Sequence, residues 1–217
     1  LIILLFETKA FAKDNKIQYT RENITNYFFG IISANQDHNS EAFRYLKNIK
    51  SLKNKHSRFN IEYIRTLILL GKFKQAFAFS KTAWKENELF FEADLLLGLD
   101  SFIKKDYVKA KRHFERLEKT SGYNFFIENF IGNVLIAWTE ASQGNKKDSL
   151  KYLEKIPKPY SHLTKMQNIF LECFFNSGNT EESFKELIQD NNYNFSRYNF
   201  FLANYFLYKE KKNDKAK

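Results

Sequence analysis

The sequence predicts an all-α fold, a solenoid of about five to six antiparallel helix hairpins. Three observations predict it. Small residues recur at a pitch near 34. Apolar residues fall at helical spacing between them. Turn-forming residues are scarce, with only 2 Pro and 7 Gly in 217 residues, which disfavours a turn-rich all-β design. The chain is 43% hydrophobic and 18% aromatic, so it has ample bulk to bury and does not read as disordered.

The pitch is read from the small residue just inside the second helix of each hairpin. Ala42, Ala76 and Ala110 are 34 apart, Ser149 follows after 39, Ser183 after 34 and Ala216 after 33. A fixed period of this size is the signature of stacked two-helix units. The elements then follow in order. Helices over 23–36 and 40–54 carry Phe29-Gly30, Ala42 and Leu46. Helices over 57–70 and 73–86 carry Ile61, Ile64, Leu67 and Ile68 at helical spacing, a turn at Gly71, and Ala76. Here Ser80 stands where a large residue is expected, flanked by Phe79 and Ala83.

The third pair, 89–104 and 107–119, has Leu97-Gly98, an N-cap at Asp106, Ala110 and Phe114. Thr120-Ser121-Gly122-Tyr123 reads as a lengthened turn that absorbs the one long interval. The fourth pair, 123–143 and 146–156, turns at Gly144, with Asn145 and Asp148 around the second start and Ser149 and Leu153 inside it. The fifth, 160–177 and 180–190, turns at Gly178; Asn179-Thr180-Glu181-Glu182 supplies a cap with Glu three residues on. A last helix spans 195–211. The small residues let helices approach to about 8–10 Å, and a Phe at Ala76 would overpack the site by about 1–3 kcal/mol.

The large-then-small pair in the first helix (Phe29-Gly30, Leu97-Gly98), the small residue in the second and the large one four further on (Leu46, Phe114) resemble the tetratricopeptide repeat (TPR) family. Leu70-Gly71-Lys72-Phe73-Lys74-Gln75-Ala76 fits its turn. The fourth and fifth repeats depart from the pattern with Ser149 and Ser183, and the closing Pro is mostly absent, Pro157 and Pro159 being the nearest match. The resemblance covers roughly 23–217. It implies a right-handed α-solenoid whose first helices line a concave, ligand-holding face.

Carried across, the register puts Tyr27 and Ile31 on that face, then Arg58, Ile61 and Arg65, then Leu95, Leu99 and Phe102. Val134 and Trp138 follow, then Lys165, Asn168 and Glu172, and finally Phe201 and Tyr205. Tyr27, Arg58, Ile61, Arg65, Trp138, Lys165, Asn168, Glu172 and Tyr205 are the candidate partner contacts. Leu95, Leu99 and Phe102 fit packing against neighbouring helices better. The face is apolar and aromatic with a few charges, a surface for an apolar or helical segment.

Chemistry is not visible. There is no Gly-rich phosphate loop and no nucleophile elbow. His38, His56, His113 and His162 are far apart in sequence and fit surface or satisfied histidines. The single Cys173 sits in an apolar helical stretch and reads as a small buried hydrophobe. No catalytic residue, cofactor or metal is expected, and no small-molecule substrate. The net charge of +10 raises an anionic partner, but Lys far outnumbers Arg, and phosphate readers favour the Arg fork.

The run Leu1-Ile2-Ile3-Leu4-Leu5-Phe6, followed by Ala10-Phe11-Ala12, fits the remnant of a signal peptide (1–12) with a cleavage site. A linker over 13–22 and the solenoid over 23–217 complete the expected organisation. An apolar N-terminal strand or helix turn packing on the first hairpin is the competing reading of 1–12. The aromatic end around Tyr198, Phe201, Leu202, Tyr205 and Phe206 predicts further repeats beyond Lys217. The expectation is therefore a periplasmic or exported scaffold that holds a protein or peptide partner. Nucleic acid is disfavoured as a partner, and peripheral membrane association stays open. An RNA-binding helical-repeat protein and an accessory repeat domain of a larger enzyme are the alternatives.

Overall fold

The computed structural model describes residues 19–120, 130–177, 179–189, 197–211 and 214. Among them lie eleven α-helices and no strand. These are α1 Arg21–Asn35, α2 Asn39–Leu46, α3 Ser57–Leu69, α4 Phe73–Ala83, α5 Phe91–Ile103, α6 Tyr107–Leu117, α7 Gly132–Ser142, α8 Lys146–Glu154, α9 Ser161–Phe174, α10 Thr180–Gln189 and α11 Arg197–Asn204. The chain divides into two compact units, one ending at Ala83 and one beginning at Trp84.

Five helix pairs turn in the same way. A residue just past the first helix enters the left-handed region: Asp37 (φ 60°), Gly71 (66°), Lys105 (62°), Gly144 (85°) and Asn176 (53°). The next N–H then donates to the carbonyl five residues back. His38 reaches Ser33 at 2.9 Å, Lys72 reaches Leu67 at 2.8 Å and Asp106 reaches Ser101 at 2.9 Å. Asn145 reaches Glu140 at 3.0 Å and Ser177 reaches Glu172 at 2.9 Å. This Schellman closure satisfies carbonyls that the ending helix leaves open. In four pairs the left-handed residue lies five positions before Ala42, Ala76, Ala110 or Ser149. In the fifth it is Asn176; Gly178 lies outside the described residues, as does Ala216.

Close approach explains the small residues. Ala42, Ala76, Ala110 and Ser149 are fully buried, while Ser183 is half-buried. A Cβ placed on Gly30 would lie 2.5 Å from Leu46, and one on Gly98 closer still to Phe114. Each glycine is therefore the socket for the large residue of its partner helix.

In the first unit, buried Phe59, Tyr63 and Phe79 form an aromatic cluster, Tyr63 and Phe79 meeting edge to face at 4.9 Å. In the second unit three apolar clusters follow one another. Phe91, Ala110, Phe114, Leu117 and Ile136 join α5, α6 and α7. Phe130, Ala137, Ala141, Leu153, Ile156 and Leu171 bring together residues of α7, α8 and α9. Ile169, Phe184, Leu187 and Tyr198 join α9, α10 and α11. Each cluster draws on both helices of one pair and on the first helix of the next, so a pair completes its core only with its neighbour.

Several expected limits are corrected. The second helix does not run unbroken over 40–54: α2 stops at Leu46 and a 3-10 segment, Lys47–Asn54, continues with a break at Ile49 (φ −117°, ψ 30°). The cause is the buried row Leu46, Ile49, Leu52, a spacing of three that matches 3-10 geometry and not the α turn. The helix expected over 73–86 ends at Ala83, and beyond it the carbonyls of Lys85, Glu86 and Glu88 accept from Arg116. The first helix starts at Arg21, inside the expected linker, where Thr20 Oγ1 accepts from the Asn23 N–H at 3.1 Å. The helix expected over 195–211 is α11 followed by a π turn, Tyr205–Lys209. The Asp106 cap is present, accepting from the Lys109 N–H. The segment 1–12 and the turn at Ser121-Gly122-Tyr123 lie outside the described residues.

Candidate partner-binding face

In the first unit, α1 presents an outward apolar row. Ile24, Phe28 and Ile32 are 44%, 59% and 48% exposed, and their spacing of four puts them on one helix face. Beside the row is a pocket of about 180 Å³ lined by Tyr19, Asn23, Ile24, Tyr27, Phe28, Leu52 and His56. Half-buried Tyr27 meets Phe28 edge to face at 5.6 Å and lies 5.7 Å from the His56 ring. The Tyr19 hydroxyl lies 3.3 Å from His56 Nε2, and the exposed lining of the pocket is apolar.

Arg58, Ile61 and Arg65 lie on α3. Arg58 Nη2 donates to Asn35 Oδ1 at 3.2 Å and sits 2.8 Å from buried Glu62. Arg65 approaches the same carboxylate at 3.8 Å. The two arginines are thus tethered through one acid, with Ile61 half-buried between them. The structure brings the two arginines together on α3 through Glu62. It does not leave the arginines as loose cations.

In the second unit Trp138 is half-buried. Its Nε1 donates to Gln167 at 2.8 Å and its ring meets Phe174 edge to face. Trp138 therefore ties α7 to α9. Val134 packs on the same cluster, and Leu95, Leu99 and Phe102 pack against the Phe114 cluster. Lys165 is exposed and Asn168 half-buried on α9. Glu172 accepts from Ser183 Oγ at 3.0 Å and lines a pocket of about 370 Å³ with Lys146, Leu150, Leu171, Ser177 and Asn179. It faces α10 and does not join Lys165. Tyr205 donates to Glu210 at 2.9 Å; burial and this acceptor push its pKa up to about 12. Cys173, expected as a buried hydrophobe, is half-buried, and burial pushes its thiol pKa up, which disfavours the thiolate.

Two buried polar networks escaped the sequence reading. Asp94, fully buried on α5, accepts from Trp84 Nε1 at 2.7 Å, His113 Nδ1 at 2.9 Å and Arg116 Nε at 2.9 Å. Arg116 continues to the carbonyls of Lys85, Glu86 and Glu88. The network pins the 84–90 segment to α5 and α6. Its sequence signal is Asp94 itself, one of two carboxylates, with Glu92, inside the otherwise apolar run Phe90–Leu97. In the second network, Glu140 accepts from Lys111 at 2.6 Å and Asn145 at 2.8 Å. Burial pushes its pKa up, and those hydrogen bonds and the lysine charge outweigh it, so the carboxyl lies below its usual range. Among the described residues no group of His, Cys, Asp and Glu is arranged to hold a metal ion, and no helix is long and apolar enough to cross a membrane.

No family model matches the chain, and no curated protein is similar to it in sequence.

Proposed function

We propose that the chain is a TPR-type α-solenoid scaffold of the bacterial cell envelope that holds an apolar or helical segment of a partner protein. The observation that carries this reading is the α1 surface. Three large apolar side chains stand in a helical row beside an apolar pocket, with the Arg58–Glu62–Arg65 group on the neighbouring helix of the same unit. Isolated exposed hydrophobics are ordinary, but a contiguous row with a pocket marks an interaction site. The repeated turn geometry supports the repeat architecture. The envelope location rests on the apolar run Leu1–Phe6 followed by Ala10-Phe11-Ala12.

The test is affinity capture from the native host with mass spectrometry, using wild type and a Phe28→Glu variant. Phe28 is mostly exposed, so the variant should keep its melting temperature. One protein recovered by wild type and lost by the variant is the expected result. Recovery unchanged by Phe28→Glu and by Arg65→Gln would remove the α1 and α3 surface from the reading.

A further inference from the structure

The 3-10 segment after α2 does more than finish the first hairpin. Its buried row, Leu46, Ile49 and Leu52, fixes where the other side chains point. Lys47 lies before the break at Ile49 and Lys50 and Lys53 after it, all outside that buried row. Lys47 and Lys50 are exposed and Lys53 half-buried. A fourth lysine, Lys72 from the next turn, joins them.

Aromatic rings hold three of these cations in place. Lys47 and Lys72 both lie over the Phe43 ring, with Nζ 5.8 Å and 5.1 Å from its centroid. Lys50 lies over Tyr63 at 5.7 Å, and Phe43 and Tyr63 are themselves stacked, 4° from parallel. A cation–π contact positions an ammonium group without neutralising it. Among the described residues none of the four lysines has a carboxylate within ion-pair reach. Residues 19–83 hold eleven Lys and Arg against four Asp and Glu, so little nearby charge offsets the lysines. The result is a strip of ordered positive charge.

We propose that this strip docks an acidic segment of a partner protein, whose carboxylates meet the lysine charge. Single-stranded RNA fits less well, because its recognition needs aromatic faces on which bases stack. The rings here are engaged: Phe43 with lysines and Tyr63, Tyr63 in the core, and Tyr45 stacked on Phe29 beneath Arg44. The inference rests on the reading of the chain as a protein-binding scaffold and names the chemistry of a second contact on it.

The experiment is fluorescence anisotropy of the full chain with a labelled peptide of alternating Glu and Ser at low salt. Binding is expected, falling steeply as salt rises. The triple variant Lys47→Gln, Lys50→Gln, Lys53→Gln should lose about tenfold or more in affinity (about 1.4 kcal/mol) with an unchanged melting curve. Lys109→Gln, Lys119→Gln, Lys151→Gln removes the same charge from elsewhere and should stay within about twofold. Equal losses in the two triples, or no binding at low salt, would overturn the proposal. So would an oligouridine of equal charge that binds more tightly than the peptide. Host-protein capture by the Phe28 variant is a separate readout, so failure of the strip and failure of the α1 surface are told apart.

Discussion

At the scale of single residues, the five matched turns make a controlled comparison. The same closure is built on Gly71 and Gly144 in two turns and on Asp37, Lys105 and Asn176 in the others. A Cβ on Gly71 or Gly144 would meet nothing within 4 Å, so substitution there reads the cost of the left-handed backbone alone. Gly71→Ala should therefore destabilise by about 1 kcal/mol, and Lys105→Gly should stabilise by up to about as much. Urea unfolding midpoints check both; a Lys105→Gly variant less stable than wild type would contradict the turn geometry. Gly98 poses the opposite problem, for its backbone is relaxed and its space is taken by Phe114. Gly98→Ala should cost about 1–3 kcal/mol by overpacking. Adding Phe114→Leu should recover part of that loss, a non-additivity that only direct contact produces.

At the scale of elements, stability depends on carboxylates that bridge neighbouring helices. Removing one partner of a buried charged network leaves the others unsatisfied. Asp94→Ala should accordingly cost about 3 kcal/mol or more. It should also release the 84–90 segment, seen as faster amide exchange there and a red shift in Trp84 emission. The Lys111–Glu140 pair sets a pH dependence. The Glu140 pKa is depressed in the folded chain, so its contribution is complete above the ordinary carboxylate range. It is lost as pH falls through the depressed value. Lys111 is raised, chiefly by its hydrogen bond to Glu140. Its contribution is complete below the ordinary lysine value and lost at strongly alkaline pH. Urea midpoints of wild type and Glu140→Gln between neutral and acid pH should converge as the pH drops. Parallel curves would show that the pair contributes nothing.

At the scale of the whole molecule, the features legible in the sequence are those that repeat. Ala42, Ala76 and Ala110 announced their burial by recurring at one pitch, and Gly30 and Gly98 announced close approach by standing directly after the large residues Phe29 and Leu97. Most helix starts and stops followed from caps and turns within a few residues, but the ends of the helices expected over 40–54 and 195–211 did not. The Asp94 network was not legible, because Trp84, His113 and Arg116 sit ten to twenty-two positions away and share no period with it. The candidate face was legible as helix faces only. Register alone could not tell that Trp138 is spent on Gln167, or that Glu172 turns toward Ser183. The 3-10 switch was written in the spacing of Leu46, Ile49 and Leu52, but an expectation of uniform α-helix hid it. Net charge is likewise a property of the entire chain. At +10, exposed cations repel one another in the compact state more than in the expanded one. Raising sodium chloride from about 20 to about 300 mM shortens the screening length from tens of ångströms to a few. The melting temperature of wild type should therefore rise by a few degrees over that range. The Lys47, Lys50, Lys53 glutamine variant, already relieved of three of those charges, should start higher and rise less. A wild-type melting temperature that falls with salt would mean that ion pairs such as Arg58–Glu62 outweigh the repulsion.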